Sequence, residues 1–144
     1  MGFGSIVGSL IIGVIAWFAT HLIANPLLTV YRLRQEAPEV IIRTAAVGVS
    51  SETEEWKQAR DLVRGLAARM AGANAAALPF VRRGLVRCGV DLEKAVSGLI
   101  GLSNSFNATD GSRALYRATV ERALRLPMSD SEEYLQKIEE GLRK

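Results

Sequence analysis

The chain has 144 residues, 49% hydrophobic and 23% charged, with a net charge of +3. That length leaves one small domain beyond any membrane segment, and so slight a basic excess does not make a nucleic-acid surface. A single histidine and a single cysteine exclude a zinc cluster and an intramolecular disulfide.

Residues 2–28, GFGSIVGSLIIGVIAWFATHLIANPLL, carry no charged side chain, and the first one in the chain is Arg32. About 20 apolar helical residues cross a hydrocarbon core of about 30 Å, and residues 5–24 supply that length. Trp17 and His21 near its end, with Asn25 and Tyr31 just beyond, suit an interfacial belt. Pro26 stands where a helix stops or bends. A cleaved signal peptide would have a basic start and a small residue three positions before the cut. Here no Lys or Arg precedes the apolar core, and cleavage after Ala24 would place Leu22 there. A core helix of a soluble domain rarely hides so long an apolar run. The expectation is therefore an uncleaved, single-pass anchor over residues 1–28. Arg32, Arg34 and Arg43 follow it, whereas only the α-amino group precedes it, which predicts an outside N-terminus and a cytoplasmic C-terminal domain. Gly4 and Gly8 form one ladder of small residues, and Ser5, Ser9 and Gly13 form another. Such ladders let two helices approach closely in lipid, so these five are candidate span-packing residues.

Residues 29–50 read as a juxtamembrane helical connection. A short helix is expected over 27–36, with Leu27, Val30, Tyr31 and Leu33 apolar. Pro38 is expected to open a second helix, because its fixed φ suits a first turn. The β-branched run Val40, Ile41, Ile42 leaves a strand over 39–49 as the alternative.

Residues 51–144 read as a small cytoplasmic helical bundle, and the chain as all-α. Ser51 and Glu54 have capping-box spacing, with Glu52, Glu54 and Glu55 suiting a first turn. The helix predicted over 52–77 has Trp56, Ala59, Val63, Leu66, Met70, Ala73 and Ala77 as its apolar stripe, widened by Leu62 and Ala67. Arg60, Arg64 and Arg69 lie off the stripe, with Asp61 and Glu55 as expected partners. Pro79 breaks the pattern, residues 80–87 resume it, and Gly89 is placed as a C-terminal cap. Asp91 is expected to cap a helix over 92–103, buried through Leu92, Ala95, Val96, Leu99, Ile100 and Leu102. Residues 104–111 form a polar loop with Phe106 tucked inward. A helix over 112–126 follows, with Leu115, Tyr116, Thr119, Ala123, Leu124 and Leu126 as core candidates. Ser129 and Glu132 predict a last helix over 130–142.

Chemistry is sparse. His21 sits at the membrane boundary, where a neutral, hydrogen-bonded ring is the expectation. Cys88 has Arg83 and Arg87 nearby, yet a small residue at a helix end explains it without reactivity. Adjacent pairs such as Glu132–Glu133 do not face each other on a helix and make no acid/base pair. Asn107-Ala108-Thr109 has the glycosylation spacing, inert in a cytoplasmic loop. No phosphate loop or dinucleotide fingerprint occurs. The reading is a chain without catalytic residues, metal or cofactor. Arg82, Arg83 and Arg87, with Arg113 and Arg117, are candidate contacts for an anionic surface.

The segments PLLTVYRLRQE (26–36), DLEKAVSGLIGLSNSF (91–106) and VERALRLP (120–127) resemble a group of small bacterial single-span inner-membrane proteins with a cytoplasmic helical domain. The resemblance implies a bacterial inner membrane and brings no established activity or site residues. The function expected is a membrane-anchored interaction module or accessory subunit of a membrane complex. Its partners would be the bilayer and a membrane protein or a second copy, with no nucleic acid. The alternative is a self-associating membrane effector or pore former.

Overall fold

A computed structural model describes residues 3–45, 47, 53–108 and 111–127. The described residues contain helices and no strand. The helices are α1 (Phe3–Ala19), α2 (Asn25–Ala45), α3 (Glu54–Ala76), α4 (Pro79–Arg87), α5 (Leu92–Asn104) and α6 (Ser112–Ala123). A π-turn over Thr20–Ala24 joins α1 to α2 without a break, so one helical rod runs from Phe3 to Ala45. The apolar part is long enough to cross a membrane by length and composition, and none of its hydrophobic window is buried in the fold.

The rod explains two prolines differently from the sequence expectation. Pro26 cannot donate to the carbonyl four residues back, and its ring crowds that group. The preceding turn widens instead, with the Asn25 amide donating to the Thr20 carbonyl, and the helix continues. Pro38 does not open a new helix but lies inside α2. An interior proline costs about 3 kcal/mol. Burial of Leu33, Ala37, Val40 and Ile41 on both sides of it offsets that cost. The same packing removes the strand alternative through Ala45, and the short helix expected at 27–36 is part of α2.

α3 begins three residues after Ser51, which lies outside the described residues. Its cap is Thr53, whose hydroxyl accepts from the Trp56 amide at 3.3 Å. All seven stripe residues from Trp56 to Ala77 are buried, and Ala67 with them, while Leu62 stays exposed. Arg69 pairs with Glu36 through two bonds of 2.8 and 2.5 Å. Since Glu36 lies near the middle of α2 and Arg69 late in α3, α3 runs back along α2 towards its start.

α5 packs on both α3 and α6. Asp91 caps it, its carboxylate accepting from the Lys94 amide at 3.1 Å. A Cβ on Gly98 would lie 2.8 Å from Val120 Cγ2, and one on Gly101 only 2.3 Å from the Tyr116 ring. These two glycines therefore set how closely α5 and α6 cross. The pairing of early α5 with late α6 makes the two antiparallel. Phe106 is fully buried, as expected. Ile100 and Leu115, expected inside, are 48% and 47% exposed. Their places are taken by Gly98, Ala118 and Val120, because close helix crossing favours small residues on the facing sides. α6 ends at Ala123, and the expected helix over 130–142 lies outside the described residues.

Candidate functional site

The bundle has two ends, each organised by arginine. At the end remote from α1, Arg113 at the start of α6 donates to the carbonyls of Thr44 and Val47. It thereby ties the last turn of α2 and the residue just past it to α6. Its guanidinium also sits 4.8 Å from the Phe106 ring centroid. Phe106 meets Trp56 edge to face at 6.3 Å, and Arg60 lies over the Trp56 ring at 4.8 Å. Each of the two packed aromatic rings thus has a cation over it. Burial, then the nearby charge of Arg117, lowers the Arg113 pKa from its ordinary value. Arg117 donates to Glu121 at 2.9 Å, and that carboxylate is 5% exposed.

At the end where α1 departs, three chain segments meet. Arg34 of α2 donates to the Arg125 carbonyl at 2.8 Å, just past α6. Arg125 in turn donates to the Cys88 carbonyl at 3.2 Å, just past α4. The Asp91 amide donates to the Ala123 carbonyl at 2.8 Å. The ends of α4 and α6 are the same motif. Gly89 takes φ +82°, its amide reaching Val86 and that of Val90 reaching Leu85. Arg125 takes φ +52°, with its amide on Arg122 and that of Leu126 on Glu121. Glycine is the ordinary choice there. Arg125 tolerates the strain because its side chain and its carbonyl are both used to tie α2, α4 and α6 together.

α4 connects the end of α3 to the start of α5, so it lies across this same end. Val81 is its buried residue. Phe80 and Val86 are each 56% exposed, and Arg82, Arg83 and Arg87 are exposed too. Beside α4 is a cleft of about 540 Å³, walled by Asn74, Arg82, Arg83, Leu85 and Glu93 among others.

The candidate anionic-contact residues therefore separate. Arg82, Arg83 and Arg87 share one outward face, whereas Arg113 is at the other end and Arg117 midway along α6, both half-buried and bonded to carbonyls and to Glu121 respectively. They do not form one patch. The expected partners of the α3 arginines also differ. Arg69 takes Glu36, Arg64 reaches Ser103 and Asn104 at 3.5 and 3.3 Å, and Arg60 lies over Trp56. Sequence reasoning missed Phe80 and Val86 as surface residues. The signal was present, since Val86 falls about 140° around the helix from Val81.

Gly4 and Ser5 lie in α1. Added Cβ atoms at Gly8 and Gly13 would meet nothing within 4 Å, and Ser9 is exposed. His21 Nδ1 is 3.1 Å from the Trp17 carbonyl, and the two rings stack at 4.5 Å. A carbonyl accepts only, so Nδ1 carries the proton and donates. Among the described residues no group of three or more His, Cys, Asp or Glu side chains comes together. Comparison with known protein families, curated proteins and solved structures finds nothing that matches this chain.

Proposed function

We propose that this chain is a membrane-anchored helical interaction module, an accessory subunit of a membrane complex that catalyses no reaction. The observation that carries the proposal is the unbroken rod from Phe3 to Ala45. Its first half is apolar and exposed, and its second half is built into the bundle core through Val30, Leu33, Ala37, Val40 and Ile41. Long exposed apolar surface needs lipid or protein around it. In the proposed topology the span crosses a bacterial inner membrane once. The N-terminus is outside and the bundle cytoplasmic, because Arg32, Arg34 and Arg43 follow the span closely. Gly4 with Gly8, and Ser5 with Ser9 and Gly13, supply two adjacent ladders of small residues on which a partner span or a second copy packs.

Crosslinked affinity purification from native membranes tests this. A defined membrane protein should be recovered with the chain, and recovery should drop on replacing Gly8 and Gly13 with leucine. A clean detergent monomer with nothing co-purifying after gentle crosslinking would falsify the module reading. A second reading, a self-associating pore former, draws on the same small-residue ladders. It requires that expression depolarises cells and that the two leucine substitutions abolish both oligomers and depolarisation.

A further inference from the structure

The position of α4 has a meaning that its sequence alone does not. α2 enters the bundle at Val30, two residues after the exposed Leu28. The bonds from Arg34, about one turn farther along the rod, to Arg125, and from Arg125 to Cys88, bring the end of α4 to within about a turn of that level. The antiparallel run of α3 brings the start of α4 there as well. If residues 5–24 fill the hydrocarbon core, Val30 lies about 9 Å beyond it at 1.5 Å per residue. That is close to the depth of one headgroup layer, about 5–8 Å. No flexible linker intervenes, so the bundle has no freedom to stand off.

The face that α4 turns away from Val81 has the composition of an interfacial helix. It offers Phe80 and Val86 to solvent, with Arg82, Arg83 and Arg87 among them and no acidic residue in the helix. Asp91 and Glu93 border the neighbouring cleft, but Asp91 pairs with Lys94. Among the described residues none of the three arginines is in an ion pair. Exposed aromatic and aliphatic side chains interleaved with uncompensated arginines match an anionic lipid surface, where the apolar groups enter the interface and the cations meet phosphate.

The geometry points to α4 as a foot of the bundle: Phe80 and Val86 dip into the headgroup layer while Arg82, Arg83 and Arg87 bind the phosphates of anionic phospholipids. This rests on the anchoring proposed above. It excludes from the lipid contact Arg113, which belongs to the opposite end, and Arg117, which is held midway along α6 by the buried Glu121.

Cys88 is exposed, follows α4 directly and is the only cysteine, so it serves as a reporter. The full chain, labelled there with a polarity-sensitive nitrobenzoxadiazole dye, is reconstituted in vesicles of phosphatidylcholine with or without phosphatidylglycerol. Alkaline carbonate flotation first shows whether the chain is integral. Dye emission and quenching by neutral acrylamide then report on the foot. With phosphatidylglycerol the dye should shift to the blue and become shielded, and high salt should weaken both effects. Each arginine near an anionic leaflet raises the docked-to-free ratio about fivefold, so replacing all three with glutamine should lower it about a hundredfold. Replacing all three with lysine should keep most of the effect. Phe80→Ser with Val86→Ser should reduce shielding at unchanged helicity. Inorganic phosphate at matched ionic strength should change nothing. A chain stripped by carbonate overturns the anchoring reading and this inference with it. A chain that stays integral while its dye is equally quenched in both vesicles overturns the inference alone. A dye response to phosphate without vesicles, or a glutamine variant that docks like the parent, overturns it too.

Discussion

Replacing Gly98 with alanine tests the crossing of α5 and α6 directly. The new methyl would lie 2.8 Å from Val120 Cγ2, 3.3 Å from the Val120 amide nitrogen and 3.4 Å from Thr119 Cγ2. Carbon atoms in good contact sit about 3.5–4.0 Å apart. Val120 is fully buried and β-branched, so its side chain has little freedom to turn away, and its backbone has less. Relief requires α5 to move off α6. Overpacking of this kind costs about 1–3 kcal/mol. Alanine in a helix interior returns about 0.5–1 kcal/mol relative to glycine. The net expectation is destabilisation by about 0.5–2 kcal/mol. Gly72 in α3 is the control, because a Cβ there would meet nothing within 4 Å. Gly72→Ala keeps only the favourable part and should stabilise by about 0.5–1 kcal/mol. The same chemical change thus has opposite signs at two helical glycines. Thermal unfolding of the full chain in detergent, followed by circular dichroism, reads both, at about 4–8 °C per kcal/mol for a domain of this size. If Gly98→Ala raises Tm as Gly72→Ala does, the close crossing is not what holds α5 on α6.

Phe106→Ala should cost about 3–5 kcal/mol, since the ring is fully buried between Trp56 and Arg113, and denaturant midpoints will show it. Leu115→Ser, at a position 47% exposed, should stay within about 0.5 kcal/mol in the same assay. Arg113→Lys keeps the charge but loses the fork that reaches two carbonyls. It should destabilise by about 1–2 kcal/mol, with amide exchange at the end of α2 speeding first. At Asp91, burial pushes the carboxyl up, but the bonds and charge of Lys94 and the Glu93 amide outweigh it, so the folded pKa lies below the ordinary 3.8. A depressed carboxyl contributes its stability above the unfolded value, and that contribution is lost as pH falls through the lower folded value. Asp91→Asn should therefore flatten the part of the acid unfolding curve at and below pH 3.8 that comes from this cap, and an unchanged curve would argue against it.

The elements legible in sequence were those whose burial repeats at helical period on one face. The stripe from Trp56 to Ala77 needed no tertiary knowledge, because a single face satisfies its three-and-four spacing. Asp91 and Gly89 were legible for a local reason too, since capping is decided within four or five residues. Pro38 was not. Its local preference says helix start, while the burial that carries the helix through it comes from segments far along the chain. Ile100 and Leu115 were misplaced because hydrophobicity marks them, whereas the crossing selects small residues. Arg113 and Arg117 were unreadable as structural groups. The carbonyls that engage Arg113 are more than sixty residues away. The buried partner of Arg117, only four residues on, looks in sequence like any solvated pair.

The rod joining α1 to the bundle also fixes an angle. In a continuous helix each residue turns the chain by about 100°. The side of α1 that carries Ser9 and Gly13 therefore has a set compass bearing relative to the face of α2 on which α3 packs. The wide turn at Thr20–Ala24 is part of that bearing, since it changes the rotation accumulated between the two. Whatever grips one side of α1 would always find the same side of the bundle beyond it. Adding or removing one residue near Asn25 would leave α1 and the bundle fold in place, yet turn the bundle by more than a quarter circle.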